Sequence, residues 1–514
     1  MSTPTRLAKG TGLTLARVGV TIFGQVATVP IYLSHWDAST YGVWLIFQGM
    51  LGYLILVSAA FQQYSYAELM QRGAADDNGF REVYQASVAI GYLIAVLELA
   101  AVLGVGSWAI SNVIGAAVDE GAADLSATIF ILLALYSLVQ TILMPFGAIT
   151  GHALSVHRRF PRVAAWGLFH AGLLLAAPAV AVLLGGGLMA AGLAFVGAHT
   201  LAGLLNMLDM MRLARGHRLF LRQPVDWRMG ARNALYCLPL AARGFIESFR
   251  QQGFRIVLGA YAGPVAVTTL ATTRTFANVL HQGLGTITAP LLPELMRYVV
   301  ARDQDRTEGA FAIVWLCVFA LLVPGVLILC AVAEPVFLLW TRGAVGFDAV
   351  LFLCLLVVVL FYAAGQPAAA ILQGQNRIAW ILSAAVVAGL ALVGLTVILV
   401  PPFGLRGAGF ALIGAELCAL TVTVIGARRS LGETGLLFPL RSLGLVLADI
   451  AAVFGLTLLA VTALQGQAAA FLLPLIANAV FAALYWQTLP ALARNRIADV
   501  AMALRARLGR RRPA

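Results

Sequence analysis

Runs of about 20 predominantly apolar residues, the length that crosses the hydrocarbon core of a bilayer as a helix, recur from Thr11 almost to Pro490. Inside lipid, each backbone N–H and C=O must find its partner within the segment, so such a chain folds as a helical bundle. The polar segments between the runs are short, which leaves no room for a separate soluble domain. With 61% of its 514 residues hydrophobic and 11% charged, the chain has too little polar surface to stay in water.

The apolar runs and their polar breaks predict helices near 11–33, 41–61, 83–110, 125–149, 163–184 and 188–211. A second set is expected near 235–258, 263–291, 309–333, 347–372, 378–400, 406–427, 441–464 and 468–489. The fold class is therefore an all-α polytopic membrane protein with fourteen transmembrane helices. Basic residues test this assignment, because they remain on the cytoplasmic side. Of the 34 basic residues, 27 fall in segments of one side, Arg342 and Arg406 on the other, and five (Arg17, Arg243, Arg250, Arg255, Arg274) inside spans. Both termini are expected in the cytoplasm. The segment 235–258 carries four charges, yet removing it would reverse the second half and place its arginine-rich loops outside.

The net charge of +12 could suggest nucleic acid, but the basic residues sit in short loops where they set orientation, which argues against nucleic-acid binding. Five cysteines stand singly inside apolar runs and read as core residues, with no disulfide framework and no metal site. The amino-terminal run contains Arg17 and lacks a small-residue cleavage site, so it is expected to be a retained first helix.

The chain also repeats itself. AGLAFVGAH at 191–199 matches AGFALIGAE at 408–416, an offset of 217, and an offset of 226 pairs Ala16-Arg17 with Ala242-Arg243 and AELM at 67–70 with PELM at 293–296. Units of six helices, an even number, face the same way. They predict two six-helix lobes, 1–222 and 223–435, related by a pseudo-two-fold axis along the membrane normal around a central cavity. Residues 436–490 then add two helices, and 491–514 form a basic cytoplasmic tail.

Ionisable residues at mid-bilayer are costly and face a protein interior or a wet cavity. Arg243, Glu247 and Arg250 share one helical face, and Arg274, Asn278 and His281 repeat that spacing on the next helix. Arg17 is the repeat mate of Arg243. A cavity lined by Arg17, Arg243, Arg250 and Arg274, with Asn278 and His281, suits a pyrophosphate, whose oxygens the guanidinium fork binds in bidentate fashion. Glu247, Glu98 and Glu416 are deep carboxylates, expected either to carry a coupling ion or to act as counter-ions. His170 and His199 read as hydrogen-bonded core residues, and Arg255 as a side chain that reaches outward along the membrane. No phosphate-binding loop, HExxH or GxSxG occurs, so neither enzymatic activity nor a cofactor is expected.

YGVWLIFQGMLGYLIL at 41–56, TTRTFANVLHQGLGTITAPLLPEL at 272–295 and GLRGAGFALIGAE at 404–416 resemble polysaccharide-export flippases. These belong to the multidrug/oligosaccharidyl-lipid/polysaccharide (MOP) exporter superfamily, which also holds drug extruders and the lipid II flippase. The resemblance implies the MATE-like fold and a bacterial inner-membrane transporter. It would move a lipid-linked oligosaccharide, such as an O-antigen or exopolysaccharide precursor, among membrane lipids and other polysaccharide-assembly proteins. A cation-coupled drug or metabolite exporter of the same superfamily is the alternative. Such exporters generally carry an acidic amino-lobe cavity and twelve helices.

Overall fold

The computed structural model describes residues 3–72, 77–117, 121–216, 224–248, 254–288, 301–375, 377–463 and 468–489, together with 295, 298, 299 and 494. Among them the regular elements are helical. The first half comprises α1 (Thr3–Leu33), α2 (Ala38–Leu54), α3 (Leu56–Arg72), α4 (Asp77–Ala117), α5 (Ala122–Leu154), α6 (Phe160–Leu183), α7 (Leu188–Gly216) and α8 (Trp227–Ser248). It continues with α9 (Phe254–Thr288), α10 (Gln304–Cys317), α11 (Val323–Thr341), α12 (Ala349–Gly374), α13 (Ile378–Glu433), α14 (Leu440–Ala463) and α15 (Leu472–Thr488).

Ten helical stretches are long and apolar enough to cross a membrane, or up to eleven if the bent α2–α3 pair is one span. Two of the ten, of 62 and 56 residues, are far longer than one crossing needs and each runs through a break. The first break is a π-helical turn, Ser155–Arg159, in which Arg158 has φ 64° and after which Pro161 opens α6. The second lies within α13, where Pro401 and Pro402 remove two backbone donors and Gly404 takes φ 57°, a conformation that glycine adopts without a Cβ clash. The expected helices 378–400 and 406–427 are thus the two arms of α13, which turn back on each other at Gly404 so that Gly414 packs on Leu395 and Gly426 on Trp380. Similarly, Gly263 (φ 76°) and Pro264 interrupt α9.

The chain divides inside α9 into two compact units: Met1–Ala271 with Thr341–Val345, and Thr272–Trp340 with Gly346–Ala514. In the first, α6 packs between α1 and α7, α5 lies against α4 and α7, and α3 lies against α8. Its buried centre is aromatic. Trp44 and Phe47 are fully buried and meet Phe195, which lies against Tyr136. In the second unit α12 is the axis, buried along almost its whole length, with α13, α14 and α10 packed around it. Trp315 of α10 donates its Nε1–H to the Ala364 carbonyl at 3.0 Å, fixing α10 on that axis.

The internal repeat has a packing cause. A Cβ on Gly192 would come 2.2 Å from Leu132 of α5, and one on Gly409 would come 2.9 Å from Cys354 of α12. Each repeat glycine therefore lets its helix approach a neighbour more closely than any side chain would allow, the usual way membrane helices associate. Large apolar side chains meanwhile point outward, among them Phe23, Trp108, Leu184 and Leu339. In water such a surface would aggregate, whereas in lipid it is solvated.

Candidate functional site

The first unit holds an open-sided pocket of about 200 Å³, many times what one water needs. Its charged and polar lining comes from four helices: Arg17 of α1, His152 of α5, Trp166 and His170 of α6, and Asn206 of α7. Among the described residues no carboxylate lines it. Glycines make the room. A Cβ on Gly167 would stand 3.2 Å from the Arg17 guanidinium, and one on Gly147 would stand 3.1 Å from the Asn206 amide nitrogen.

The surrounding bonds hold this lining in place. Asp209 receives two parallel bonds from Arg162, at 2.8 and 2.9 Å, and a third from the Trp166 indole at 2.7 Å. The bidentate fork fixes α6 against α7 and orients the Trp166 ring at the pocket edge. His152 stacks on Tyr66 of α3. Behind His170 runs a hydrogen-bonded chain: His170 Nε2 lies 3.0 Å from His199 Nδ1, and His199 Nε2 lies 3.0 Å from Gln140 Oε1. His199 is almost fully buried and rests on the Tyr136 ring, with centroids 4.6 Å apart.

His170 lies ten residues into α6, a rise of about 15 Å, which is half the thickness of the hydrocarbon core. Among the described residues, Arg17 is the permanently charged group that lines the pocket. Arginine stays protonated in any such setting, so the lining carries a fixed positive charge beside uncharged donors. That combination recognises an anion with several acceptor oxygens, a phosphate above all.

The residues expected to share a cavity are placed as follows. Arg17 lies in this pocket. Arg274, half-buried, and Asn278 lie on α9 in the second unit and do not line it. Arg243, Glu247 and His281 belong to α8 and α9, but their side chains, like the whole of Arg250, lie outside the described residues, as does most of the basic tail. Glu416 is buried on α13. Arg255, expected to reach outward, has its Nε buried in the neighbourhood of Tyr41.

Glu98 has a role that its depth alone did not indicate. One of its oxygens accepts the backbone N–H of Ser58 at 2.9 Å and the other accepts the Ser58 hydroxyl. Ser58 lies in the first turn of α3, just after the chain bends by 42° at Ile55. A helix start leaves N–H groups unsatisfied and carries partial positive charge, so the carboxylate of α4 serves as a cap supplied from another helix.

Sequence reading assigned His170 to the core, and it passed over His152, Trp166 and Asn206. These are single polar residues on three helices that only the fold brings together. It also passed over Asp449 of α14, fully buried, with neither carboxylate oxygen hydrogen-bonded among the described residues.

No protein-family model and no curated protein matches the sequence. Solved structures do match. An inward-facing multidrug resistance MATE family transporter of the MOP superfamily superposes with a TM-score of 0.63 at 15% identity, covering 82% of this chain and 99% of its own. The lipid II flippase MurJ, in an inward closed conformation, gives 0.65 at 11% identity, covering 92% and 97%. A MOP superfamily transporter from Pyrococcus furiosus, described as having a binding pocket of reverse polarity that suggests a different function, gives 0.53 at 17% identity, covering 84% and 96%. At such identities the likeness is one of architecture, and the chain has the all-helical fold of the MOP superfamily transporters.

Proposed function

We propose that the protein is a flippase that carries a polyprenyl-pyrophosphate-linked oligosaccharide from the cytoplasmic to the periplasmic leaflet of a bacterial inner membrane by alternating access. The observation that carries this reading is the pocket around Arg17, where a fixed cation and the donors of His152, Trp166, His170 and Asn206 meet no lining carboxylate. A drug exporter that takes up organic cations needs the opposite polarity. MurJ, a lipid flippase, and the Pyrococcus furiosus protein, whose pocket polarity is described as reversed, share the fold and agree with this choice. Fourteen spans, two six-helix lobes and cytoplasmic termini complete the reading. Arg243, Arg250 and Arg274, with Asn278 and His281, would supply further phosphate ligands, while Glu247, Glu98 and Glu416 would act as coupling groups or counter-ions.

The test uses a strain deleted for the gene and complemented with each variant, scored by surface polysaccharide at equal membrane abundance. Lysine keeps the charge but loses the planar fork, and alanine loses both. Polysaccharide should fall from wild type to Arg17→Lys to Arg17→Ala. Full export in Arg17→Ala contradicts the reading, and restored export of cationic drugs in place of polysaccharide favours the exporter.

A further inference from the structure

The histidine chain behind the pocket has a direction. Gln140 Oε1 is a carbonyl oxygen and only accepts, so the proton in its bond with His199 belongs to His199 Nε2. A neutral His199 then presents a lone pair at Nδ1, and the proton in the next bond belongs to His170 Nε2. The one remaining lone pair of the two imidazoles is His170 Nδ1. A proton that arrives there makes His170 an imidazolium and breaks neither bond of the chain. One on His199 would turn its Nδ1 into a donor and break the bond to His170. The chain therefore fixes the tautomer and directs protonation to the ring that lines the pocket.

The neighbours define what such a proton would meet. The elements packed on α6 present Arg17 from α1, Tyr136 and His152 from α5, and His199 from α7. Among the described residues, the carboxylate bonded to this lining, Asp209, is held by Arg162 and Trp166. With Arg17 already positive, a second charge on His170 is opposed in the empty pocket and favoured once a polyvalent anion sits between them, so each ligand raises the affinity for the other.

We propose that His170 is a proton-binding site coupled to the anion pocket, so that a phosphate-type ligand and one proton, on His170 Nδ1, are taken up together. The inference rests on the phosphate reading of the Arg17 pocket and assigns it a coupling proton that none of the deep carboxylates is required to carry. A substrate loaded in this way would leave with its proton when the pocket changes sides.

The experiment measures sulfate binding to the full chain in lipid nanodiscs by titration calorimetry between pH 6 and 9. Sulfate is the probe because its own charge is constant over that range. Wild-type affinity should fall toward the limit of about tenfold per pH unit that one linked proton sets, and buffers of different ionisation enthalpy should report up to one proton absorbed. His170→Gln should bind sulfate with an affinity that no longer depends on pH and with no proton uptake, while His152→Gln keeps the wild-type slope. Arg17→Ala should bind weakly throughout. A pH-independent wild type whose binding is still lost in Arg17→Ala overturns the proton site and leaves the anion pocket standing. A slope removed by His152→Gln and kept in His170→Gln overturns it as well. Wild-type protein that binds no sulfate at any pH, or binding untouched by Arg17→Ala, overturns both the pocket reading and the coupling built on it.

Discussion

Removing the Glu98 carboxylate should loosen the start of α3. The group accepts two hydrogen bonds, from the backbone N–H and the hydroxyl of Ser58. A hydrogen bond to a charged group contributes about 1.5–3 kcal/mol, and a carboxylate at a helix N-terminus adds a few tenths to about 1 kcal/mol. The two bonds share one acceptor and are not additive, so Glu98→Ala should cost about 3 kcal/mol. Glu98→Gln keeps one neutral acceptor and should cost about half of that. Ser58→Ala removes only the hydroxyl bond and should cost about 1 kcal/mol. The double variant Ser58→Ala/Glu98→Ala should show a coupling of about 1 kcal/mol, since Glu98→Ala already removes the bond that Ser58→Ala deletes. Equilibrium unfolding in mixed micelles, followed by tryptophan fluorescence, measures the cycle. Additivity within about 0.5 kcal/mol refutes the cap. A Glu98→Gln protein of unchanged stability that no longer responds to an ion gradient would assign Glu98 to coupling instead.

Gly167→Val should place side-chain atoms against the Arg17 guanidinium, 3.2 Å from the glycine's missing Cβ, and lower polysaccharide export while membrane abundance holds; export at the wild-type level contradicts the placement of Arg17. Reporter fusions after residues 220 and 500 should read cytoplasmic, and fusions within 111–124 should read periplasmic; a periplasmic carboxyl terminus overturns the fourteen-span orientation. Asp37 caps α2 by accepting the Thr40 N–H at 2.7 Å, and its hydrogen bonds to the Thr40 hydroxyl and N–H hold its carboxyl below the usual range. A depressed folded value means that the cap's stabilisation is complete above the unfolded pKa near 4 and is lost as pH falls through the folded one. Asp37→Ala should therefore cost about 1 kcal/mol at pH 7 and progressively less in acid; a difference that does not shrink in acid contradicts the cap.

Much of the fold was legible because apolar run length responds to a single physical demand, the thickness of the bilayer. The all-helical membrane fold agrees with the expectation, with ten to eleven stretches long and apolar enough to cross a membrane among the described residues, and the repeat 191–199 with 408–416 marks Gly192 and Gly409, where helices meet closely. The break at Pro401, Pro402 and Gly404 was legible too: the row reads as a turn between two helices, and Gly404 takes a non-helical conformation there. At the site, Arg17 stood out because a charge inside an apolar run has few explanations. His152, His170 and Asn206 did not, since a lone neutral polar residue in a membrane helix is ordinary. Their convergence depends on how α6 packs between α1 and α7 and how α7 packs on α5, which no local pattern encodes. Glu98 stood out by its depth, but its bonds to Ser58 did not, because the helix start that it meets is created by the bend at Ile55.

The central claim is that this chain moves a pyrophosphate-linked lipid and grips it through Arg17. Purified protein reconstituted into liposomes with a fluorescent polyprenyl-pyrophosphate oligosaccharide tests it directly, with a membrane-impermeant reductant reporting how much label reaches the other leaflet. The account predicts that wild-type protein speeds exchange well above protein-free liposomes, that the Arg17→Ala protein falls close to that background, and that excess inorganic pyrophosphate competes. Exchange by the wild type that is no faster than in protein-free liposomes, or equal in wild type and Arg17→Ala, would contradict it.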